Sequence, residues 1–313
     1  MDDRYALGID VGGSYTKIGL VSAHGELLEH RVIPSELQSA DPRTFLTGAG
    51  AAAEELLALR PALGIGISLC SILNAERSGV LLSVNAPALA GLDVRAAFAG
   101  RFGLPVTVCN DVSAFALAEA RFGAGQGVRR LLVLALGTGL TIAAVIDGRV
   151  IENWGGITAD AGRILLEPDS PLACKAGVRG SAEALLGVAH IERLAREAYG
   201  KPAVGARAVI EAAQAGEAAA VRVMTEIGAN AGHLLALLSP IFFPQRILIT
   251  GGTAEAGEPL FAAARQRYAE LIGAYMSDLA ELEDGRRRPM EIRKAALGPE
   301  AAVIGAALGF FTQ

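Results

Sequence analysis

The chain has 313 residues, of which 52% are hydrophobic and 19% are charged, and its formal net charge is -5. This composition supports a sizeable core and excludes a disordered chain, and the negative charge argues against binding DNA or RNA through bulk electrostatics. At about 150 residues per domain, the length predicts two domains or lobes.

The longest apolar stretch, 131–146, does not predict a membrane span. A glycine turn at 137–139 interrupts it, whereas a spanning helix needs about 20 predominantly apolar residues. The acidic residues at 1–4 are not followed by the apolar region of a signal peptide. Three widely spaced cysteines without a CxxC pair argue for a reducing compartment. We therefore expect a cytoplasmic protein with no membrane or nucleic-acid partner.

In the first half, predicted strands alternate with predicted helices. Apolar runs of strand length lie at 5–9, 17–21, 27–33, 63–67 and 106–108. Apolar residues recur at helical spacing in 42–59, 94–102 and 112–122. The first of these helices is expected to stop at Arg60-Pro61, because proline does not continue a helix.

The second half repeats this opening of strand, glycine turn and strand, and helices follow. Strands are predicted at 131–136, 141–146, 246–250 and 292–296. Helices are predicted at 190–199, 206–214, 217–238, 258–275 and 299–311. The alternation is typical of α/β sheets whose faces are covered by helices. The glycines of 123–130 mark the boundary between the halves.

A glycine turn joins the first two predicted strands. Gly12 and Gly13 let the backbone approach a ligand closely, and successive N–H groups in such a turn bind anions. Ser14 would add a hydroxyl donor, Lys17 a positive charge, and Asp10 a ligand for hydrated Mg²⁺. The alternative is an ordinary hairpin in which Asp10 only ends a strand.

Two further glycine turns follow. Gly137-Thr138-Gly139 occupies the same place in the second half, and Gly251-Gly252 follows a later strand. The first two turns, one in each lobe, would hold the phosphates of one nucleotide, and adenosine would lie against the third. Together the three turns favour nucleotide binding over three ordinary turns.

Asn110-Asp111 lies between a predicted strand and a predicted helix. A carboxylate at such a strand end accepts the proton of an attacking hydroxyl in phosphoryl transfer to an alcohol. The alternative is a helix N-cap, where Asp and Asn are common. The local sequence does not separate the two.

In this order and spacing, the three turns and the Asn-Asp pair resemble the ROK family (repressors, open reading frames and sugar kinases). The resemblance covers nearly the whole chain. Its motifs lie at 10–17, 83–87, 105–125, 136–139, 146–148, 250–252 and 297–307.

The resemblance implies an α/β, two-lobed actin/hexokinase-like (ribonuclease H-like) ATPase fold, in which each lobe has a mixed sheet with flanking helices. The first lobe would comprise 1–122 with a helix at 298–313 packing back on it, and the second 123–297. The family's reaction transfers the γ-phosphoryl group of ATP–Mg²⁺ to a hydroxyl of a hexose or hexose derivative. Domain closure would exclude water, and a homodimer is expected because dimers are common in the family.

The resemblance also implies residue roles, with Asp111 as general base and Asp10 ordering the Mg²⁺ shell through water. The residues implied to bind the sugar are Asn85, Asn110, Asp160, Arg163 and Glu183. The residues implied to bind ATP are Gly12, Gly13, Ser14, Lys17, Gly137, Thr138, Gly139, Gly251 and Gly252.

The chain departs from the family at a zinc site, which often comprises a Gly-His and a C-x-C-G-x-x-G-C-x-E stretch. Here that stretch begins at Cys174, but Ala176 and Ser181 replace two cysteines and Arg163 replaces the histidine. One thiol cannot form a tetrahedral structural site. We expect no zinc, and a buried or inert thiol at Cys174.

Arg163 admits two interpretations. A guanidinium binds carboxylate or phosphate as a bidentate fork, so one hypothesis is an acceptor sugar with an anionic substituent. The alternative is that Arg163 fills the vacated zinc region and pairs with a surface acid such as Glu167. Asp160 is also one methylene shorter than the family's glutamate.

Leu140-Thr141 stands where the family usually has further glycines after Gly139. Either these larger side chains weaken ATP binding, or the strand simply begins earlier. The first case would give a catalytically degenerate sugar-binding or sensor protein. A polyphosphate donor is a further alternative, whereas a repressor would need a helix-turn-helix before the first strand, and only about four residues precede it.

Overall fold

The computed structural model describes residues 4–35, 37, 41–83, 86–201 and 203–311. Its strands are β1 (Tyr5–Val11), β2 (Tyr15–Ser22), β3 (Leu27–Pro34), β4 (Ile65–Leu69), β5 (Ile72–Leu73), β6 (Val80–Leu82), β7 (Val106–Asn110), β8 (Arg130–Leu136), β9 (Leu140–Ile146), β10 (Arg149–Ile151), β11 (Arg246–Thr250) and β12 (Glu291–Lys294). Its helices are α1 (Pro42–Leu59), α2 (Val94–Phe102), α3 (Asp111–Phe122), α4 (Ala182–Leu186), α5 (Val188–Tyr199), α6 (Ala206–Gln214), α7 (Ala218–Phe242), α8 (Glu258–Ile272), α9 (Tyr275–Asp284) and α10 (Ala301–Ala307). The predicted α/β class is confirmed, and within the described ranges no helix meets the length and apolarity that crossing a membrane requires.

Local sequence explains α1 well. The Asp41 side chain accepts a hydrogen bond from the backbone N–H of Arg43 at 2.9 Å, which caps the helix, and a proline stands in the first turn, where no N–H is required. The helix ends at Leu59, as the following Arg-Pro pair predicts. Its buried face repeats every three or four residues, at Phe45, Ala49, Ala53 and Leu56.

The described chain divides into two compact units. The first comprises Met1–Gly127, Val145–Ala159 and Ala296–Gln313. Its sheet has the order β3-β2-β1-β4-β7, in which β1, β4 and β7 are parallel and β2 and β3 are antiparallel additions. The β1 and β4 strands are buried nearly throughout, as central strands with helices on both faces require.

The second unit comprises Val128–Ala144 and Asp160–Ala295. In its sheet the strands β9, β8, β11 and β12 lie in that order, and β8, β11 and β12 are parallel. Helices α7 and α8 pack closely because α7 has Gly228 and Gly232 at the contact, where a Cβ would overlap backbone carbonyls of α8. Both units therefore present parallel central strands, whose carboxyl ends lie at one edge of the sheet.

Helix α10 packs directly on the first unit's sheet and on α3. A Cβ at Gly8 of β1 would overlap the carbonyl oxygen of Val303, and one at Gly66 of β4 would overlap that of Ala306. In the same way, a Cβ at Gly305 would overlap a carbonyl of α3. Backbones can approach this closely only where the side chain is a hydrogen atom.

The carboxylate of Glu119, a residue of α3, links the segment that follows this helix to the segment that precedes α10. Glu119 is fully buried, and its two oxygens accept hydrogen bonds from the backbone N–H groups of Leu297 at 2.6 Å and Ala124 at 2.8 Å. Two donors from distant parts of the chain therefore depend on one side chain.

We expect Glu119→Gln to lower the free energy of unfolding by about 2 kcal/mol, because the new amide N–H₂ would face one of these two N–H donors and leave it unpaired. Urea unfolding followed by circular dichroism measures the change. The matched control is Glu26→Gln, at an exposed position of the same unit, which should change the stability little. Equal stabilities of the two variants would contradict the role given to Glu119.

Candidate active site

Chemical groups of the first unit gather at the carboxyl edge of its parallel strands. In the register of β1, β4 and β7, Asp10 lies beside Ser68, and Ser68 lies beside Cys109. Asn110 and Asp111 follow directly at the end of β7. Open α/β sheets bind their ligands at this edge.

Asp10 is half-buried at the end of β1, and its Oδ1 accepts a hydrogen bond from the Ser68 hydroxyl at 2.8 Å. Burial raises the pKa of Asp10, while the Ser68 hydrogen bond and the charge of Lys17 oppose the rise. Lys17 itself donates to the carbonyl of Pro299 at 2.5 Å. The sequence analysis missed Ser68 as a partner, although a serine inside an apolar strand beside Asp10 was the available signal.

The first glycine turn is closed by a hydrogen bond from the N–H of Gly12 to the carbonyl of Tyr15, at 3.1 Å. A Cβ at Gly12 would lie 2.9 Å from that carbonyl oxygen, so the turn requires glycine there. Gly13 is half-buried and Ser14 is exposed. The tip of the turn is therefore accessible to a ligand.

The structure separates the two roles that the sequence left open for Asn110 and Asp111. Asn110 is the N-cap of α3, since its Oδ1 accepts from the N–H groups of Val112 at 3.0 Å and Ser113 at 3.4 Å. Its Nδ2 donates to the carbonyl of Ser71 at 3.3 Å. Asp111 is thus not needed as the cap, and it stands as the first residue of the helix.

Asp111 is half-buried, and one of its oxygens accepts from the N–H of Val112 at 2.9 Å. Burial, and secondly the negative charge of Asp10, raise the pKa of Asp111 to about 7, against hydrogen bonds that favour the charged form. A carboxylate with a pKa near the working pH is suited to accept and release a proton.

This pKa predicts a pH-dependent reaction. If Asp111 is the general base, as the resemblance implies, it must be ionised to accept a proton, so kcat/KM should fall tenfold for each pH unit below about 7 and level off above it. Initial rates with saturating ATP–Mg²⁺ at several pH values, with circular dichroism to confirm folding at each, measure this. A profile that stays level well below pH 7 would contradict the assignment of Asp111.

In the second unit, two glycine turns lie side by side. The N–H of Gly137 donates to the carbonyl of Gly139 at 3.0 Å and closes the β8–β9 turn, whose residues Thr138 and Gly139 are exposed. Gly251 has a φ of 89°, and a Cβ there would overlap the carbonyl of Leu136, at the end of β8. Because β8 and β11 are parallel neighbours, the second and third turns share one edge.

The β9 strand begins at Leu140, which is buried. The strand therefore begins one residue before the predicted start at 141, as one of the two alternatives has it, whereas weakened ATP binding stays a prediction. The turn before it is closed by the hydrogen bond between Gly137 and Gly139, and the Leu140 side chain is buried.

Asp160, Arg163 and Glu183 lie together in the second unit. The Nη1 of Arg163 is 2.9 Å from the Oε1 of Glu183, and its Nε is 3.5 Å from the Oδ2 of Asp160. Arg163 therefore pairs with Glu183 and with the exposed Asp160, rather than with Glu167, the acid that the second interpretation named. Local sequence patterns do not indicate the pair with Glu183, because 20 positions separate the two residues.

Cys174 differs from the buried thiol that was expected, since it is half-buried and receives a hydrogen bond from the Nη1 of Arg163 at 3.0 Å. Burial raises its pKa, but hydrogen bonds from Ser181 and from backbone groups, with the charge of Arg163, lower the pKa below the usual thiol value overall. Among the described residues, no group of three or more His, Cys, Asp or Glu side chains could hold a metal ion.

One predicted sugar-binding residue, Asn85, lies outside the described residues, as do the last two positions of the predicted C-terminal helix. The structure thus brings together Asp10, Asn110 and Asp111 in the first unit. In the second it brings together the two glycine turns, and also Asp160 with Arg163 and Glu183.

Comparison with known proteins gives one family. The model of the ROK family matches residues 6–311. The glucokinase of Halalkalibacterium halodurans is 29% identical, over 97% of this chain and 94% of its own. The ROK hexokinase from Thermus thermophilus superposes with a TM-score of 0.81 at 29% identity, covering 97% of both chains. A ROK family glucokinase from Streptomyces griseus, solved with glucose and AMPPNP, gives 0.78 at 26% identity, over 97% of this chain and 98% of its own.

Proposed function

Since this chain belongs to the ROK family, we propose that it is an ATP-dependent sugar kinase with Asp111 as its general base. Its acceptor is a hydroxyl of a hexose or hexose derivative. Sugar phosphorylation is the activity named for the glucokinase and hexokinase relatives, and AMPPNP, bound to one of them, is an ATP analogue.

The observation that carries the proposal is the state of Asp111. Its carboxylate lies at the edge where parallel strands end and where such sheets bind ligands. Asn110 caps α3, so Asp111 is not needed as the cap, and the pKa of Asp111 is near 7. In the reaction, the acceptor oxygen bonds to the γ-phosphorus of ATP as the bond to the β,γ-bridging oxygen breaks. ADP leaves, and the proton of the hydroxyl passes to Asp111.

The glycine turns would bind the nucleotide through backbone N–H groups, and Ser14 and Lys17 would assist the first of them. The second turn would contact the phosphates, and Gly251-Gly252, which shares its sheet edge, the adenosine. Asp10 would order the water shell of the Mg²⁺ that accompanies ATP, a role suited to a carboxylate at a strand end.

The sugar hydroxyls would be bound by Asn85, Asn110, Asp160 and Glu183, with Arg163 beside them. Carboxylate oxygens accept hydrogen bonds from hydroxyls and an amide N–H₂ donates to hydroxyl oxygens, which fits a neutral polyol. A cytoplasmic location, a homodimer and the absence of nucleic-acid partners and of zinc remain predictions.

The test is an assay of ADP release with ATP–Mg²⁺ and a panel of hexoses, amino sugars and sugar acids, with Asp111→Asn as the blank. We expect turnover on at least one acceptor and none in the blank. A parallel series with polyphosphate in place of ATP, followed by sugar phosphate formation, tests the donor. Sugar binding without turnover by either donor would overturn the kinase assignment and favour a sensor.

A further inference from the structure

The guanidinium of Arg163 joins three segments of the second unit. Arg163 ends a short 3₁₀ turn that begins at Ala161, and it reaches Glu183 at the start of α4 and Cys174 in the irregular segment between. Arginine is well suited to this position, because its planar group carries five donors in a fixed arrangement.

Arg163 is already paired with carboxylates of this chain. It lies within 2.9 Å of one carboxylate, Glu183, and 3.5 Å of a second, Asp160. The cluster has one positive and two negative charges, so it carries no net positive charge that would attract a sugar acid. The arginine side chain is 34% exposed and that of Glu183 is 14% exposed, so the Arg163–Glu183 pair is partly shielded from water.

Arg163 occupies only one oxygen of Glu183. Its partner is Oε1, whereas Oε2 lies 3.3 Å from the position of a Cβ at Gly139 and 3.5 Å from that of one at Gly162. The second oxygen therefore lies next to two glycines that have no side chain to cover it, and one of them belongs to the exposed β8–β9 turn. Ser181 caps α4 by accepting from the N–H of Ala184 at 3.3 Å, which fixes the backbone that carries Glu183.

We propose that Arg163 is a positioning residue that holds Glu183 by Oε1, so that Oε2 faces the acceptor sugar beside the Gly137–Gly139 turn. The inference rests on the proposed function, because it takes Glu183 as a sugar ligand. The guanidinium of Arg163 thereby sets the orientation of a substrate-binding carboxylate, and it does not contact the substrate itself.

A double-mutant cycle on sugar binding tests this, with calorimetry as the readout and the acceptor from the panel as the ligand. We expect Arg163→Met and Glu183→Gln each to weaken binding about tenfold or more, and the double variant to bind no worse than Glu183→Gln alone. KM for ATP should change much less than KM for the sugar. Arg163→Lys, which keeps the charge but not the fork, should restore part of the affinity.

Arg207→Met is the matched control, because Arg207 also pairs with a glutamate, at 2.9 Å, on the exposed face of α6. It should leave sugar affinity unchanged. Thermal unfolding checks each variant, and if Arg163→Met does not fold, the cycle is run with Arg163→Lys.

The outcomes separate this inference from the kinase assignment. Additive losses in the cycle, or unchanged affinity in Arg163→Met, would show that Arg163 does not act through Glu183 and would overturn the inference. Unchanged affinity in Glu183→Gln would also overturn it, but would leave the role of Asp111 standing if turnover still disappears in Asp111→Asn. A wild-type protein that neither binds nor phosphorylates a sugar would overturn both.

Discussion

Replacing Asp111 with asparagine is expected to lower kcat by about 10³-fold or more while sugar affinity changes little, because general-base catalysis typically contributes 10²–10⁴-fold. Asparagine keeps the oxygen that accepts from the N–H of Val112, so the start of α3 should be preserved. Rates of ADP release and calorimetric sugar binding measure the two effects.

The same substitution should stabilise the fold. The pKa of Asp111 is about 7 in the folded protein, above its ordinary value of 3.8, so the folded state binds the proton more tightly than the unfolded state does. Stability is therefore lost as the pH rises from about 4 to about 7 and stays reduced above that. A rise of about 3 pKa units corresponds to about 4 kcal/mol, and water around the half-buried carboxylate reduces this value. Asparagine carries no charge, so the variant should gain about 2 kcal/mol at pH 8 and much less at pH 5.

Urea unfolding at the two pH values, without nucleotide or Mg²⁺, measures this gain. Asp169→Asn, at an exposed position, is the control and should show no gain at either pH. A variant that retains full activity would contradict the role of Asp111 as the base. A variant that loses activity but is no more stable at pH 8 would contradict the raised pKa.

The sequence predicted the ends of a helix correctly where the residues that mark those ends lie next to them in the chain. Helix α1 was predicted with its observed ends, because its cap directly precedes its first residue and a proline follows closely after its last. The prediction of one helix over 258–275 was wrong, because α8 ends at Ile272 and α9 begins at Tyr275. Gly273 lies between them with a φ of 58°, a conformation that favours glycine and ends helices, but the continued apolar spacing masked it.

The candidate site shows the same division. Each glycine turn could be located in the sequence because its residues are consecutive. The pairing of Arg163 with Glu183 and the contacts of Glu119 with Leu297 could not be, because they join residues 20 and 178 positions apart. Composition and spacing do not show which way a side chain points, so they could not identify Asn110 as the N-cap.

The second large effect concerns stability, at the contact between α10 and α3. Gly305→Ala is expected to lower the free energy of unfolding by about 3 kcal/mol, because overfilling a well-packed contact forces shifts of the chain, and here the obstacle is the backbone carbonyl of Ala114. The effect opposes intrinsic propensity, since alanine in a helix is about 1 kcal/mol more favourable than glycine.

The matched control is therefore Gly100→Ala in α2, where a Cβ would meet no atom within 4 Å. The identical substitution should stabilise the protein there by about 0.5–1 kcal/mol. Urea unfolding of the two variants should give changes of opposite sign. A Gly305→Ala protein as stable as the wild type would show that α10 can move away from α3 without cost.

We expect the overlap that Gly305→Ala creates to affect catalysis as well. Ala114 lies three residues after Asp111, on the first turn of α3, so relieving the overlap at Gly305 displaces the helix that carries the base. Catalysis depends on the base lying within hydrogen-bond reach of the acceptor hydroxyl, and a misplacement of about 1 Å can cost 10²-fold in rate. We therefore expect Gly305→Ala to lower kcat even under conditions where it is fully folded, whereas Gly100→Ala should leave kcat unchanged. Activity and unfolding measured on the same preparations distinguish this displacement from simple loss of folded protein.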